Sequence, residues 1–454
     1  MPESQQPGQN QGQNQGQNRL LPNPQDAPRV TVEAYRQRGG YAALQRATGG
    51  MTPAQVIGEV RESGLRGRGG AGVLTAEKLN IVAQAADATR YVVCNAYDAD
   101  ARSAISRTLL ARDPHRVIEG IALAAFAVGA NEAYLFMRGT GSGSAEATAA
   151  TQQALRDAQD QRVLGTGVLG SRFPLTITLV GVDLGFMAGE ESTMLEIIKG
   201  RRAMPQQRPP YPTQYGLYDK PTAIINIETA ANLPEIINRG GQAFKSVGAA
   251  SDPGTKLLTV FGPGADAGVL VEVPTGITLA GALRQAGITA TPETARAVVV
   301  GGLEGGALPL AQLNTPLEHD ALEAAGAIMG SSIIEVLPAA TCMVNWAMER
   351  SAALARESCG KCVPCRVGVK RIASTLEGIV SEIGTKDDLA LLDEFAHYVP
   401  DGSLCGFGIH AVHPLVSAMK FFPDDFTAHL EGRCPTGTCL PVRAHRFTTK
   451  HVLP

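Results

Sequence analysis

At 454 residues, the chain is long enough for about two to four domains of ordinary size. A hydrophobic fraction of 44% and a charged fraction of 18% exclude a disordered or fibrous protein. The formal net charge of -3 provides no electrostatic attraction for nucleic acid or an anionic membrane surface, so we expect neither as a partner.

The chain shows no sign of entering a membrane or of being secreted. Its apolar stretches are interrupted by charges well before the roughly 20 residues that a transmembrane helix needs. The first residues lack the basic and then apolar order of a secretory signal, so we expect a cytoplasmic protein. In a reducing compartment, clustered cysteines favour metal binding over disulfides.

Residues 1–28 have the composition of a tail. They cycle through Gln, Gly and Asn, and between Gln5 and Asn18 there is no bulky apolar side chain to bury. We expect no fold there, and a first globular domain from residue 29 onward.

Residues 29–250 alternate between helix and strand signals. Thr52, Pro53 and Gly64 supply an N-cap, a first-turn proline and a C-terminal glycine for one helix, and a long apolar helix is predicted over 114–128. Short apolar runs predict strands at 90–94, 133–137, 176–180 and 223–225. This alternation predicts an α/β domain.

Two smaller regions follow the α/β domain. Residues 251–338 contain short β-rich runs and one helix signal, which predicts a small α+β insert. After Pro338 the strand signals fade, and the segments 367–379 and 387–395 have helical periodicity. Residues 339–454 are therefore predicted to form a helical bundle.

Four cysteines give the strongest chemical signal. Cys359, Cys362 and Cys365 form a C-x-x-C-x-x-C run, and Cys405 follows further along the chain. Thiolates are soft ligands, and three local ligands with one distant ligand suit a 4Fe-4S cluster. A four-cysteine zinc site is the competing interpretation, although zinc sites usually present two C-x-x-C pairs.

The remaining cysteines are weaker candidates. Cys434 and Cys439 form a pair that either ligates a metal or has a structural role in a C-terminal turn, and the structural interpretation is favoured. Cys94 and Cys342 lie in apolar runs and are predicted to be core residues. We therefore assign metal binding only to the first four cysteines.

A glycine loop is the second chemical signal. It consists of Gly67, Arg68, Gly69, Gly70, Ala71 and Gly72. The loop follows a helix instead of a strand, so it does not satisfy the Rossmann fingerprint. Bare backbone N–H groups before a helical stretch, with Lys78 one turn inside, still suit a phosphate or a flat ring. A tight structural loop is the alternative.

Three further motifs contain polar groups, but none of them identifies a reaction. Glu190 and Glu191 stand at the start of a predicted helix, where acidic residues are also ordinary first-turn stabilisers. Residues 208–212, the proline arm, are stiff and extended. Asn226 and Thr229 follow the last predicted strand of the α/β domain.

Taken in order, these motifs resemble the flavin- and NADH-binding F subunit of NADH:quinone oxidoreductase, respiratory complex I. They also resemble its relatives in NAD-dependent formate dehydrogenases and NAD-linked hydrogenases. The resemblance covers about residues 30–440, and its matching stretches are 64–72, 107–129, 189–200, 209–233, 358–368 and 404–405. It implies an α/β Rossmann-like flavin domain over 29–250, a ubiquitin-like β-grasp insert over 251–338 and a helical bundle over 339–454 that carries the iron-sulfur cluster.

The resemblance also implies electron transfer from NADH through FMN to one 4Fe-4S cluster. The implied cluster ligands are Cys359, Cys362, Cys365 and Cys405. The implied FMN contacts are the glycine loop Gly67, Arg68, Gly69, Gly70, Ala71 and Gly72, with Lys78, Asn95, Asn226 and Thr229. The implied catalytic residues are Glu190, Glu191 and Asp100, and the nucleotide-binding residues of the proline arm are Arg208 and Tyr211.

The sequence departs from the family pattern at the nucleotide pocket. Tyr97 stands where an aspartate would bind the flavin ribityl chain, Val73 and Ile81 stand where aromatic rings would stack on the dinucleotide, and Ile225 replaces one of two paired asparagines. Each loss removes a stacking contact of about 0.5–1.5 kcal/mol or a hydrogen bond of about 1 kcal/mol. We therefore expect weaker nucleotide binding.

The acidic residues of the same region are also changed. Asp98 and Asp100 stand where the family has glutamates, and two flexible glycines are replaced. Arg102 stands in place of a small residue and is expected either to fill the pocket or to pair with Asp98 or Asp100.

Three functions remain open from the sequence. The first is a working NADH dehydrogenase subunit, the second is a divergent paralogue that serves as an iron-sulfur relay or scaffold, and the third is an FMN protein with another donor such as reduced ferredoxin. The resemblance implies two partners, a thioredoxin-like 2Fe-2S subunit and a larger iron-sulfur subunit. Such partners would place the chain at the cytoplasmic side of the inner membrane.

Overall fold

The computed structural model describes residues 20–21, 28, 30–139 and 143–439. Most of the predicted tail lies outside these residues. Leu20 is buried, and the backbone N–H groups of Leu20 and Leu21 each donate to Glu272 at 2.9 Å. Two residues of the predicted tail therefore bind Glu272 through their backbone.

The first domain is an α/β unit around a parallel sheet. Its helices are α1 (Val32–Gln37), α2 (Ala42–Gly50), α3 (Pro53–Ser63), α4 (Thr75–Ala83), α5 (Ile105–Arg112), α6 (Pro114–Val128), α7 (Ser144–Asp160), α8 (Glu191–Ile198), α9 (Ile227–Arg239) and α10 (Gly241–Lys245). Its strands are β1 (Tyr91–Ala96), β2 (Glu132–Arg138), β3 (Thr176–Val182) and β4 (Thr222–Asn226). The strand order is β3-β2-β1-β4, and every neighbouring pair is parallel. The α/β alternation predicted from the sequence is confirmed.

Local sequence signals explain where two of these helices begin, end and pack. In α3, Thr52 accepts from the N–H of Gln55 while the Gln55 side chain accepts from the N–H of Thr52, and Gly64 ends the helix in the left-handed region. Helix α6 packs against α9. A Cβ on Gly120 would overlap the carbonyl oxygen of Ala230, so glycine sets the distance between these helices.

The second region is a small α+β unit. It contains the strands β5 (Gly248–Ala249), β6 (Asp252–Pro253), β7 (Thr255–Gly262), β8 (Ala265–Pro274), β9 (Ala295–Val300), β10 (Gly306–Pro309) and β11 (Ile333–Pro338), and the helices α11 (Leu279–Gln285) and α12 (His319–Ala325). Five of the strands form one sheet in the order β10-β9-β11-β7-β8. Strands β7 and β11 are parallel at its centre, and the other neighbours are antiparallel.

The third region is helical, as predicted. Its helices are α13 (Met343–Glu357), α14 (Lys370–Val380), α15 (Lys386–Gly402), α16 (Gly406–His410), α17 (His413–Phe421) and α18 (Pro423–Leu430). The predicted helix over 367–379 begins in the structure as a π-helical stretch, Pro364–Val369. The part of the prediction that covers 440–454 lies outside the described residues. Within the described residues, no helix is long and apolar enough to cross a bilayer.

Candidate functional site

The glycine loop, residues 67–72, lies against the carboxyl end of β4. A Cβ on Gly69 would come within 3.3 Å of the Cβ of Asn226. Gly70 has φ 101° and Gly72 has φ 63°, values that side-chain-bearing residues rarely adopt. The loop therefore presents bare backbone at close range beside the sheet edge.

Asn226 ends β4 and begins α9. Its Oδ1 accepts from the N–H of Glu228 at 2.8 Å and so caps the helix. Its Nδ2 is thereby placed beside the loop, at 3.6 Å from the position of a Cβ on Gly69. An amide donor next to bare backbone suits an acceptor atom on a flat ligand, which fits the flavin contact expected for Asn226.

The side chains of Arg68 and Thr229 are buried and make contacts within the protein. The guanidinium of Arg68 is buried, and it binds the carboxylate of Asp252 and the carbonyl oxygen of Pro253. The backbone N–H of Arg68 donates to Oγ1 of Thr229, which is also buried, at 2.9 Å. In the structure, these two expected cofactor contacts hold the glycine loop in place and join it to the second domain.

Apolar side chains after the glycine loop face solvent. Val73 is 53% exposed and Ile81 on α4 is 48% exposed, while Leu74 and Tyr211 of the proline arm are exposed as well. Ala71 is also exposed. Exposed apolar side chains at such a loop suit contact with a ligand. Val73 and Ile81 are aliphatic, so they offer dispersion contacts but no aromatic stacking.

Lys78, the two glutamates and Arg208 form one charged cluster. Lys78 Nζ lies 2.7 Å from Glu191 Oε1 and donates to the carbonyl oxygen of Ile224 at 3.0 Å. Arg208 binds Glu190 and also lies 3.6 Å from Glu191. Burial opposes ionisation of Glu191, but the charges of Lys78 and Arg208 hold its pKa below the usual value. Three separate segments thus place two carboxylates and two cations together.

Backbone contacts fix the position of the acidic pair. Glu190 caps α8 by accepting from the N–H of Thr193 and from the hydroxyl of Ser192, both at 2.7 Å. Asn95, at the end of β1, donates through Nδ2 to the carbonyl oxygen of Gly189 at 3.0 Å. The expected flavin residue Asn95 therefore holds the segment that presents Glu190.

Tyr97 is buried beneath the sheet edge. Its ring packs on Phe136, with 5.6 Å between centroids, and the guanidinium of Arg138 lies 4.5 Å from the ring centre. Its hydroxyl donates to the carbonyl oxygens of Leu184 and Gly185. The residue that replaces the expected aspartate thus braces residues 184–190, which we call the Gly185 loop.

Arg102 pairs with Asp100, one of the outcomes expected from the sequence. Its guanidinium lies 3.3 Å from Asp100 Oδ2 and 2.8 Å from Glu335 Oε2, and Glu335 also binds Arg350. Asp98 instead accepts from the N–H groups that begin α5. The oxygens of Asp100 therefore belong to a network that joins the first domain to β11 and α13.

The four cysteines of the predicted cluster share one site in the helical region. Cys359 and Cys362 precede the π-helical stretch, Cys365 lies in it, and Cys405 directly precedes α16. Burial, with the neighbouring Cys362 and Cys359, raises the pKa of Cys365 to about 11. Burial also raises the pKa of Cys405 to about 12, with Cys359 contributing. Thiols in such surroundings ionise when a metal centre supplies positive charge.

The surroundings of these cysteines fit an iron-sulfur cluster. The backbone N–H groups of Phe407 and Gly408 point at the sulfur of Cys405, and Ser358 Oγ lies 3.3 Å from the sulfur of Cys365. A Cβ on Gly408 would come within 3.2 Å of the Cβ of Cys365 and would overlap Ser403. Hydrogen bonds to sulfur and close backbone approach are typical of such sites.

The other cysteines differ from expectation in one respect. Cys94 and Cys342 are buried, as predicted for core residues. Cys342, however, lies against Cys434, Cys439 and His429, and their ligand atoms are all within 4.8 Å of one another. Cys434 and Cys439 therefore belong to a group of four potential metal ligands, and spacing along the chain does not reveal that Cys342 and His429 join them.

Comparison with known proteins agrees with the two sites. Residues 60–235 match the Nuo51 FMN-binding domain, and residues 345–429 match the NADH-ubiquinone oxidoreductase-F iron-sulfur binding region. The first range contains the glycine loop and the charged cluster, and the second contains all four predicted cluster cysteines. The chain therefore contains an FMN-binding domain and a 4Fe-4S binding region.

Full-length relatives extend the match. The chain is 37% identical over 406 residues to an NADH-quinone oxidoreductase F subunit of Rhizobium meliloti (strain 1021), covering 89% of this chain and 96% of that protein. It is 36% identical to HndC, a subunit of the NADP-reducing hydrogenase of Solidesulfovibrio fructosivorans, covering 90% of this chain and 83% of that protein.

A solved structure shares the fold. The crystal structure of an NAD+-reducing [NiFe]-hydrogenase in the H2-reduced state aligns with a TM-score of 0.76 at 31% identity over 87% of this chain. This chain spans 65% of the hydrogenase chain. On the two domain matches and the identity to full-length relatives, the chain belongs to the family of NADH-quinone oxidoreductase F subunits.

Proposed function

We propose that this chain is the electron-entry subunit of a complex I-like oxidoreductase, which takes electrons from NADH and passes them through FMN to a 4Fe-4S cluster. The main support for this proposal is the position of the Gly185 loop. Tyr97 and Asn95 hold this loop on the side of the glycine loop, and Phe186 within it packs on Phe407 beside the cluster cysteines. One short segment thus touches both expected cofactor sites.

When bound, FMN accepts a hydride from NADH and releases its electrons singly to the iron-sulfur cluster. The chain's own residues bind and orient the flavin and the nucleotide. Lys78 offers a positive charge beside the glycine loop, where a phosphate is favoured, and Asn226 offers an amide donor. Glu190 and Glu191 would contact the nucleotide, with Arg208 holding both carboxylates.

Two expected residues take supporting roles in this proposal. Asp100 is a positioning residue, because its oxygens bind Arg102 and the N–H of Leu303. Tyr211 of the proline arm, with its ring exposed, is the remaining aromatic contact for the nucleotide.

The domain boundaries follow the same proposal. We propose a flavin domain over 29–250, a ubiquitin-like β-grasp insert over 251–338 and an iron-sulfur domain over 339–454. The β-grasp assignment is supported by the order β10-β9-β11-β7-β8, with the first and last strands parallel at the centre and α11 in the connection between β8 and β9.

Partner subunits are required to receive the electrons. We propose a thioredoxin-like 2Fe-2S subunit and a larger iron-sulfur subunit, with the chain held on the cytoplasmic side of the inner membrane by its partners. Val363 and Val367 support a docking surface beside the cluster, because these apolar side chains next to Cys362 and Cys365 are 56% and 52% exposed. Nucleic acid is not proposed as a partner.

A second candidate function rests on the altered pocket. Val73 and Ile81 supply no aromatic stacking, which favours a protein whose FMN or cluster serves another donor such as reduced ferredoxin, or which acts only as an iron-sulfur relay or scaffold. Both candidate functions use the same cluster cysteines. NADH oxidation separates them.

The test uses the full chain, purified without oxygen and supplied with FMN, iron and sulfide. We expect about one FMN per chain after acid extraction, and NADH-dependent reduction of ferricyanide. Gly69→Ala should weaken FMN binding, because its Cβ would come within 3.3 Å of the Cβ of Asn226 and displace a side chain that we propose as a flavin contact. Gly58→Ala in α3 is the matched control, since a Cβ there has no heavy atom within 4 Å.

The outcomes separate the candidates. Absence of flavin in the reconstituted chain would contradict both FMN-dependent functions and leave the relay or scaffold. Bound flavin that NADH fails to reduce would contradict the NADH dehydrogenase and support another donor.

A further inference from the structure

A second group of metal-ligand side chains lies in the iron-sulfur domain. The sulfurs of Cys342, Cys434 and Cys439 and a ring nitrogen of His429 all lie within 4.8 Å of one another. The sulfur of Cys342 is 3.6 Å from Nε2 of His429. The four residues come from three places: the residue before α13, the last turn of α18 and the turn that follows α18.

We propose that these four residues bind a single Zn²⁺ ion in a closed Cys₃His site. Zinc takes thiolate sulfur at about 2.3 Å and imidazole nitrogen at about 2.0–2.1 Å, so a tetrahedron places its ligand atoms roughly 3.5–3.8 Å apart. The observed spacing of up to 4.8 Å is close to that value. Soft sulfur donors with one imidazole select zinc over magnesium or calcium.

The spacing favours one ion over a second iron-sulfur cluster. A cluster with several irons spreads its cysteine ligands around the cluster, whereas one ion draws them into mutual contact. Among the described residues, the Cys342 group is compact in this way, while Cys359, Cys362, Cys365 and Cys405 do not form such a group. The domain thus contains one wide cysteine set and one compact set.

The orientation of His429 agrees with metal binding. Its Nδ1 donates to the backbone carbonyl oxygen of Asp425 at 2.7 Å, so Nε2 is the ring nitrogen that faces the sulfur of Cys342. Histidine ligands of metals commonly donate their second nitrogen in this way. Asp425 is itself fixed, because its carboxylate binds the N–H of Met343 at 3.1 Å and Arg296 at 2.7 Å.

The turn between Cys434 and Cys439 brings both sulfurs to the same side. Gly437 adopts φ 66°, and its N–H donates to the carbonyl oxygen of Cys434 at 3.1 Å. The hydroxyl of Thr436 lies 3.3 Å from the sulfur of Cys434, where it can donate to a thiolate. The same hydroxyl is hydrogen-bonded to the hydroxyl of Thr438 at 2.7 Å. Hydrogen bonds to a ligating thiolate stabilise its charge.

A site with four protein ligands leaves no position for substrate, so the ion is structural. It ties the end of the described chain to Cys342 at the start of α13, and the other end of α13 leads directly to Cys359. The zinc site therefore fixes the helix that leads to the first iron-sulfur ligand, Cys359. This inference is independent of whether the chain oxidises NADH.

The test measures zinc and iron in the purified full chain. We expect about one zinc and about four irons per chain, and a zinc X-ray absorption spectrum that fits three sulfurs at about 2.3 Å and one nitrogen at about 2.0 Å. Cys434→Ser and Cys439→Ser should lower the zinc content at least about tenfold while iron is retained. Cys94→Ala, a cysteine buried in β1, should keep both metals.

Zinc absent from protein produced in zinc-supplemented medium would overturn the proposal, as would zinc whose absorption spectrum shows oxygen in place of sulfur. Iron in excess of the four of the cluster, with no zinc, would also contradict it. The spectrum of the unaltered chain decides the question even if the serine variants fail to fold.

Discussion

The rings of Phe186 and Phe407 meet with their centroids 5.6 Å apart, at the junction between the flavin domain and the iron-sulfur domain. The backbone N–H of Phe186 also donates to Glu357 at the end of α13, at 2.6 Å. Lys361, between two cluster cysteines, donates to the carbonyl oxygen of Pro205 at 2.6 Å. Three contacts thus hold the segments of the nucleotide pocket against the cysteine loop.

Phe186→Ala should uncouple the two sites. It removes an aromatic contact and half-buried ring surface, which we expect to cost about 1–3 kcal/mol of stability. With the Gly185 loop loosened, reduction of the cluster should slow by a larger factor than reduction of flavin by NADH. Anaerobic stopped-flow absorbance of both cofactors measures the two steps.

Phe173→Ala is the matched control for this prediction. Phe173 makes a similar ring contact with Phe126, at 5.4 Å, inside the first domain. It should lower stability without slowing cluster reduction. Equal slowing in both variants would show that the effect comes from general destabilisation.

Cys362→Ser should remove the 4Fe-4S cluster. A serine hydroxyl is a poor ligand for iron, so the iron content should fall from about four per chain toward zero, and the low-temperature EPR signal of the reduced protein should disappear. Cys94→Ser, in β1, should retain the signal. An unchanged signal in the Cys362 variant would refute the ligand assignment.

The sequence predicted the features that depend on neighbouring residues. The cap, proline and terminal glycine of α3 predicted its limits, because each acts within a few residues of its partner. The spacing of Cys359, Cys362 and Cys365 predicted a shared centre for the same reason. Local chemistry determines such features, so they can be inferred from one sequence.

Features that depend on distant residues were missed. The guanidinium of Arg68 is buried against Asp252, which is far away in the chain, and the sequence did not predict this contact. His429 was not singled out, although it meets Cys342 across two helices. The fold alone brings these residues together, and no hydrophobic periodicity indicates the contacts. The nearness of His429 to Cys434 in sequence was the one available hint.

Lys78→Met should shift the pH dependence of the nucleotide site. Burial disfavours the charged form of Glu191, and the charges of Lys78 and Arg208 now hold its pKa below the usual value. A carboxylate with a lowered pKa contributes stability above its ordinary pKa and loses it as pH falls through the folded value. Without Lys78, Glu191 takes up its proton at a higher pH. The acid limb of the pH-rate profile should therefore shift to higher pH. FMN should bind at least about tenfold more weakly.

Lys220→Met provides the control for Lys78. Lys220 also pairs with a carboxylate, Asp87 at 2.8 Å, in the first domain. Its loss should leave FMN affinity and the acid limb unchanged. A wild-type profile in the Lys78 variant would contradict the role given to Lys78.

Glu304→Gln should stabilise the protein at alkaline pH. Burial, with the nearby charge of Asp100, raises the pKa of Glu304 to about 8, and its Oε1 has no hydrogen-bond partner among the described residues. Between its ordinary pKa and about 8, the folded protein retains a proton that the unfolded chain has lost, so the free energy of unfolding falls as pH rises.

A glutamine stays neutral and removes this penalty, which reaches about 4 kcal/mol near pH 8. Urea unfolding between pH 5 and pH 9, followed by circular dichroism, should therefore show a flatter pH dependence for Glu304→Gln and a higher stability at the alkaline end. Glu394→Gln, at an exposed position on α15, should retain the wild-type slope. If both variants keep that slope, Glu304 is ionised in the folded protein and another group sets the pH dependence.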